Sequence, residues 1–267
     1  MPQPTSRTAL VTGASSGIGR AVAAALLERG YRVVGTSRKP EAVTDPVPGV
    51  EYVALDLADD ASVEACAEQV GAVDVLVNNA GESQSGPFEE LPGAALERLF
   101  RINVFGAVRL TQLVLPGMRE RGYGRVIMVG SMLASFPLAY RSSYVASKAA
   151  VKGFADSLRR EVQPYGVGVS TVEPGSISTG ISERRTQYLR EDSPFGDEYR
   201  TMLSALNANE AKGITAERVA GTVLRAVEAP APRPLYAVGS NAPVVFALRR
   251  LFPRSLMLRI VARKHGL

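Results

Sequence analysis

Residues 8–37 hold the feature that most narrows the folds open to this chain. An apolar run, Thr8-Ala9-Leu10-Val11-Thr12, passes without a spacer into Gly13-Ala14-Ser15-Ser16-Gly17-Ile18-Gly19. A helical pattern follows at once: Ile18, Ala21, Val22, Ala25 and Leu26 recur at helical spacing, and Gly30 is placed to end it. Tyr31 to Ser37 reads as a second strand. The stretch therefore predicts a strand, glycine loop, helix and strand of the length that binds half a dinucleotide. Glycines let backbone approach a phosphate closely, and the first N–H groups of a helix are unpaired and partly positive. The spacing is G-x-x-x-G-x-G instead of the commoner G-x-G-x-x-G, so the loop gains its weight from its placement.

The alternation continues along the chain. Strands are expected at Tyr52 to Asp56, Val73 to Asn78, Arg125 to Gly130, Val167 to Val172 and Leu235 to Gly239. Helices are expected at Asp59 to Val70, from about Gly93 to Arg121, over residues 142–163 and near Ala216 to Ala229. Such a pattern predicts an α/β fold: a single-domain, doubly wound parallel sheet with helices on both faces. No domain boundary or internal repeat interrupts it. Ligands of such sheets bind outside the carboxyl ends of the strands, where strand order reverses. The glycine loop, Asp56, Asn79 to Gly81, Ser131 and Pro174-Gly175 each follow an expected strand end, so five stretches converge on one edge.

Composition removes other chemistries. Cys66 is the only cysteine and His265 the only histidine, so an internal disulfide is impossible and no metal centre is expected. A Ser-His-Asp triad would require the last residues to fold back. The start, Met1 to Arg7, lacks the pattern of a signal peptide, and no apolar run is long enough to span a bilayer, so a cytoplasmic protein is expected. The formal charge of +5 is concentrated late, with Arg249, Arg250, Arg254, Arg259, Arg263 and Lys264 in the last 20 residues. No motif or aromatic series accompanies it, and nucleic-acid binding is not expected.

With histidine excluded, acid-base chemistry points to Tyr144-Val145-Ala146-Ser147-Lys148, preceded by Ser131. On a helix over residues 142–163, Tyr144 and Lys148 lie one turn apart on the same face. A free tyrosine has a pKa of about 10, too high for a base at neutral pH. A cation beside it favours the phenolate, and Lys148 is the candidate.

These residues together resemble the classical short-chain dehydrogenase/reductase family over about Thr8 to Gly239. The resemblance rests on Thr12-Gly13-x-x-x-Gly17-Ile18-Gly19, Asn78-Asn79-Ala80-Gly81, Asn103, Ser131, Tyr144-x-x-x-Lys148 and Pro174-Gly175, in the family's order and intervals. It implies a seven-stranded Rossmann sheet, a nicotinamide cofactor, and hydride exchange with a carbonyl or alcohol. By the same resemblance Tyr144 is the proton donor and acceptor, and Lys148 bonds the nicotinamide ribose and lowers the pKa of Tyr144. Ser131 would hydrogen-bond the reacting oxygen, and Asn103 would help hold a water linking Lys148 to solvent. The implied cofactor contacts are Gly13, Ser15, Ser16, Gly17, Ile18, Gly19, Ser37, Arg38, Asp56, Leu57, Asn79, Ala80, Gly81, Tyr144, Lys148, Pro174, Gly175, Ile177 and Thr179. The second strand ends Gly35-Thr36-Ser37-Arg38-Lys39, with no carboxylate to repel a 2′-phosphate and an arginine suited to bind one. NADP(H) is therefore expected over NAD(H), with Ser16, Ser37 and Arg38 at the phosphate.

The substrate side is less defined. Residues 176–213 are polar and weakly periodic and read as a lid over a domain spanning residues 1–240. Val172 to Gly175 and Tyr140 to Ala150 resemble the branch acting on steroids, retinoids and other lipophilic alcohols. Apolar Leu133, Phe136 and Leu138 suit a lipophilic ketone or secondary alcohol. Residues 241–267 read as a basic amphipathic extension of the same domain, broken near Pro253, which could cover its own domain, a neighbouring subunit or an anionic membrane. The resemblance implies a homodimer or homotetramer, through the long helices Gly93 to Arg121 and Ser142 to Gln163. The alternatives are a catalytically silent dinucleotide sensor of the same fold, and an epimerase or dehydratase of the extended relatives. The intact Ser131, Tyr144 and Lys148 set disfavours the first, and the shorter chain disfavours the second.

Overall fold

The computed structural model describes residues 7–180 and 183–267. Residues 1–6 of the polar start and residues 181–182 of the expected lid lie outside them. Seven parallel strands form the central sheet: β1 (Thr8–Val11), β2 (Arg32–Ser37), β3 (Glu51–Ala54), β4 (Val75–Asn78), β6 (Gly124–Val129), β7 (Val167–Pro174) and β9 (Leu235–Val238). Their spatial order is β3-β2-β1-β4-β6-β7-β9, so the winding reverses between β1 and β4.

Period-2 alternation in the strands feeds two cores. Leu10, Leu76, Val126 and Met128 point to one face, where they meet α2 (Asp60–Val70), α4 (Ala107–Glu120) and α6 (Ser142–Val162) through Val63, Leu110 and Val151. Ala9, Val11, Val75, Val77 and Ile127 point to the other, against α1 (Gly17–Glu28) and α8 (Ala216–Glu228) through Val22, Leu26, Val219 and Val223. Burial on both faces is why these strands read as continuous apolar runs.

The structure departs from expectation in three places. The single helix expected from Gly93 to Arg121 is three pieces: α3 (Gly93–Phe100), a π-helical segment Arg101–Gly106, and α4. A helical periodicity does not show the extra residue of a π turn, and such turns concentrate at functional sites. Residues 176–213 contain a full helix, α7 (Gly196–Ala211), whose Tyr199, Met202 and Leu206 are buried. Its apolar positions do follow helical spacing, but flanking charges obscure them. Two short strands, β5 (Gln84–Ser85) and β8 (Thr186–Gln187), pair in parallel and tie this segment to the body of the molecule. The C-terminal pattern is broken where expected, into α9 (Ala242–Leu251) and α10 (Arg254–Lys264) with Pro253 between.

One hydroxyl joins the two strands at the reversal. The fully buried Thr12 Oγ1 accepts hydrogen bonds from the backbone N–H groups of Asn79 and Ala80, each at 2.9 Å. Thr12→Val keeps the shape and strands both donors, which is expected to destabilise the fold by about 2 to 4 kcal/mol. A urea-unfolding midpoint followed by circular dichroism measures it; a midpoint equal to that of the wild type would contradict this role.

Candidate active site

At the carboxyl ends of the strands lies a cleft of about 790 Å³. Its nucleotide-sized half begins at the glycine loop. Gly13 and Gly17 hold φ of 66° and 53°, left-handed values that favour glycine. Gly19 does not line the cleft: it is buried behind it, where a Cβ would collide with the Gly13 carbonyl. Its role is to let α1 approach β1. Ser16, the N-cap of α1, makes no side-chain cap, and the first turn holds no acidic residue, so the helix offers free N–H groups to an anion. Asn79 Nδ2 donates to the Thr12 carbonyl at 2.9 Å, locking the loop after β4 onto the loop after β1. Ser15, Ser16, Ile18, Ser37, Arg38, Asp56, Leu57, Asn79, Ala80, Gly81, Pro174, Gly175, Ile177 and Thr179 all line this cleft with Gly13 and Gly17. Arg38 is exposed at the end of β2. A Cβ placed on Gly17 would lie 3.5 Å from Thr179, so the segment after β7 closes over the phosphate loop. A cradle of backbone N–H groups fits the phosphates of a nicotinamide dinucleotide.

The second half holds Ser131, Tyr144 and Lys148. Ser131 lies just past the end of β6 and caps α5 (Met132–Ser135), accepting from Leu133 N–H at 3.2 Å. Tyr144 and Lys148 share a face of α6, with the Lys148 nitrogen 5.9 Å from the Tyr144 ring centroid. Lys148 is buried and donates to the Val129 carbonyl at 2.9 Å; burial pushes its ammonium down to about 8. Asn103 sits beneath, in the π-helical segment. Its Oδ1 accepts from Glu82 N–H at 2.8 Å, and its Nδ2 donates to the Glu82 carbonyl at 3.0 Å and to Ser147 Oγ at 3.1 Å. Asn103 is therefore a brace between the loop after β4 and α6, and it is absent from the cleft lining.

The phenol differs from expectation. Burial raises the Tyr144 pKa above its ordinary value, and the foremost opposing influence is the charge of Arg141, followed by a hydrogen bond with Ser131. The expected downward pull of Lys148 does not govern it: desolvation of the phenol outweighs the cations around it. Arg141 escaped the sequence reading, although an arginine immediately before a helix is itself a signal, since the helix N-terminus repels cations.

The substrate walls are also corrected in part. Leu133 and Phe136 line the cleft, whereas Leu138 is absent from its lining and packs behind it with Tyr199, Met202 and Leu206. The tail folds back over its own domain. Val245 and Leu248 of α9, and Met257, Ile260 and Val261 of α10, line the same cleft. His265 comes with them, buried, its Nδ1 2.8 Å from the Val261 carbonyl. Sequence reading left this contact open because an amphipathic helix does not state which surface it covers.

Comparison with known proteins agrees with this geometry. A family model described as short chain dehydrogenase matches residues 7–189. The chain is 30% identical to the 3-ketodihydrosphingosine reductase of Bacteroides thetaiotaomicron over 260 residues, covering 95% of this chain and 96% of that protein. A solved short-chain dehydrogenase from Streptomyces avermitilis has a TM-score of 0.82 at 36% identity, with 94% of this chain and 93% of that one covered. Another, from Burkholderia cenocepacia J2315 in complex with NADP, has a TM-score of 0.77 at 28% identity, with 96% and 97% covered.

The Lys148 environment has a consequence for stability. Its folded pKa of about 8 lies below the ordinary 10.5, so between these values the unfolded chain binds more protons and stability rises with pH. The full penalty is present below pH 8, where Lys148→Met is expected to stabilise the protein by up to about 3 kcal/mol. Urea unfolding of both proteins at pH 7 and pH 9.5 checks this, with a smaller gap expected at the higher pH. A gap that widens with pH would contradict it.

Proposed function

The chain belongs to the short-chain dehydrogenase/reductase family, and from that premise we propose that it is an NADP(H)-dependent oxidoreductase acting on a lipophilic ketone or secondary alcohol. The observation that carries this reading is the convergence of Ser131, Tyr144 and Lys148 on the cleft that also holds the glycine loop. When bound, the nicotinamide supplies the hydride in reduction and accepts it in oxidation. Tyr144 gives its proton to the carbonyl oxygen, or takes it from the alcohol, and Ser131 donates a hydrogen bond to that oxygen as charge develops there. Lys148, anchored on the Val129 carbonyl, keeps a cation near the phenol and the cofactor ribose, and Asn103 holds the loop against which it rests.

Preference for NADP(H) is supported by Arg38 and Ser37 at the end of β2, where no carboxylate stands, and by the NADP bound to the Burkholderia cenocepacia relative. A steroid-, retinoid- or fatty-type substrate is supported by the apolar wall of Leu133, Phe136, Val245, Leu248 and Met257. That one relative is a reductase named for a keto compound agrees with reduction of a ketone. On this reading residues 1–240 are the catalytic domain, residues 176–213 its lid, and residues 241–267 an extension that completes the substrate wall. A homodimer or homotetramer is supported by exposed Phe105 and Phe154 on the α4 and α6 side. Exposed Leu251, Phe252, Leu256 and Leu258 among the basic residues of the tail leave peripheral membrane contact as a property to test by vesicle co-sedimentation. No helix among the described residues is long and apolar enough to cross a membrane.

Two variants test the assignment. Tyr144→Phe is expected to lower kcat for ketone reduction by about 100- to 10,000-fold, with NADPH affinity, read by nucleotide fluorescence, little changed. Arg38→Asp is expected to move the ratio of kcat/KM for NADPH over NADH at least roughly tenfold toward NADH, the equivalent of one phosphate contact. Full activity in the first variant, or a clear NADH preference in the wild type, would overturn the corresponding half of the proposal.

A further inference from the structure

Arg141 takes no part in the proton and hydride transfers, yet several physical terms oppose its position. It is 2% exposed and lines the cleft. Burial, reinforced by the charge of Arg185, lowers its guanidinium pKa to about 10. It occupies the N-cap of the 21-residue helix α6, where the helix dipole is unfavourable to a cation. The preceding Tyr140 takes φ of 63°, a left-handed conformation rare for a bulky side chain.

Little in the protein offsets these terms. Nη2 donates to Ser83 Oγ at 3.1 Å, but Nε and Nη1 have no hydrogen-bond partner among the described residues. Stacking over the Tyr144 ring, with 4.5 Å from Cζ to the centroid, is favourable but leaves the in-plane N–H donors unused. The carboxylate whose charge Arg141 feels, Glu210, is held by Arg185 through two bonds of 2.7 and 2.6 Å. Glu82, also in the cleft wall, is paired with Arg98 at 2.6 Å. Lys264 and His265 line the same end. The substrate end of the cleft therefore has in its wall a buried cation with two unpartnered N–H donors, beside the phenol of Tyr144. A buried, unsatisfied guanidinium is costly, and an oxyanion is the group that best satisfies it, through charge-assisted hydrogen bonds.

We propose that Arg141 binds a carboxylate of the substrate, so that the enzyme acts on an amphipathic keto or hydroxy acid whose carboxylate lies a few bonds from the reacting carbonyl. The apolar remainder of that molecule lies along Phe136, Leu248 and Met257. This deepens the oxidoreductase reading and rests on it for the word substrate, but its test needs no turnover. Calorimetric titration of full-length protein with decanoate and with decanol, each with and without NADPH, offers an anionic and a neutral chain that cannot be reduced. Decanoate is expected to bind the wild type at least roughly tenfold more tightly than decanol, one charge-assisted pair's worth of discrimination. Arg141→Gln is expected to abolish the difference and Arg141→Lys to retain part of it, with NADPH affinity and Tm reporting that both variants are folded. Equal affinities in the wild type, no binding of decanoate, or a preference that survives in Arg141→Gln overturns the proposal. Failure of the oxidoreductase reading would show separately, as the absence of NADPH oxidation with every ketone.

Discussion

The site depends on how two neighbouring parallel strands part company. β1 and β4 lie side by side, their following loops diverge, and the Thr12 hydroxyl holds the gap at a fixed width by accepting both Asn79 and Ala80 N–H groups. Asn79 returns the bond to the Thr12 carbonyl. From this clamp the geometry propagates outward. The glycine loop is held against β4, Gly81 is brought under Asn103, and Asn103 in turn reaches Ser147 on α6, one residue before Lys148. Two sets of hydrogen bonds, joined through the backbone of residues 80–82, thus link the glycine loop to helix α6. Thr12, Asn103 and Ser147 are buried, so loss of one of these side chains leaves a partner unsatisfied, which makes the arrangement stiff.

Upon that frame the protein concentrates cations where water is scarce. Lys148 is buried against a single carbonyl, and Arg141 sits nearly dry on the ring of Tyr144. Both are destabilising by their burial, and Lys148 has a depressed pKa for that reason. Their presence fits chemistry in which negative charge appears on an oxygen at Tyr144 and disappears again. A low-dielectric pocket strengthens each cation's effect on that oxygen, and it equally raises the phenol's own pKa. The balance between these two influences decides how readily Tyr144 parts with its proton. Stability is therefore given up at the site and recovered in the two apolar layers of the sheet.

Much of this was legible from residues alone, for definable reasons. Leu10, Leu76 and Val126 face one side and Ala9, Val11, Val75, Val77 and Ile127 the other, so a sheet covered on both faces is written as continuous apolar runs. Gly13 and Gly17 sit where positive φ is needed, and Tyr144 and Lys148 where one helical turn aligns them. What was not legible depends on contacts between distant segments. Arg141 is buried beside Tyr199 and Glu210 of α7, and that closure is not stated by its local sequence. Asn103 braces the loop after β4 against α6, and the π-helical turn that aims it is invisible to helical periodicity. Leu138 was expected to face substrate but joins Tyr199 and Met202, whose helix was hidden among charges.

The central claim is that hydride passes between a nicotinamide and a carbonyl carbon in this cleft. NADPH carrying deuterium at C4 of the nicotinamide, prepared in each stereochemical form, tests it when incubated with protein and a keto acid or ketone and the product is read by mass spectrometry. The expected result is one deuterium on the carbinol carbon from one of the two forms and none from the other. A product without deuterium from either form, or deuterium lost to solvent, would contradict the account.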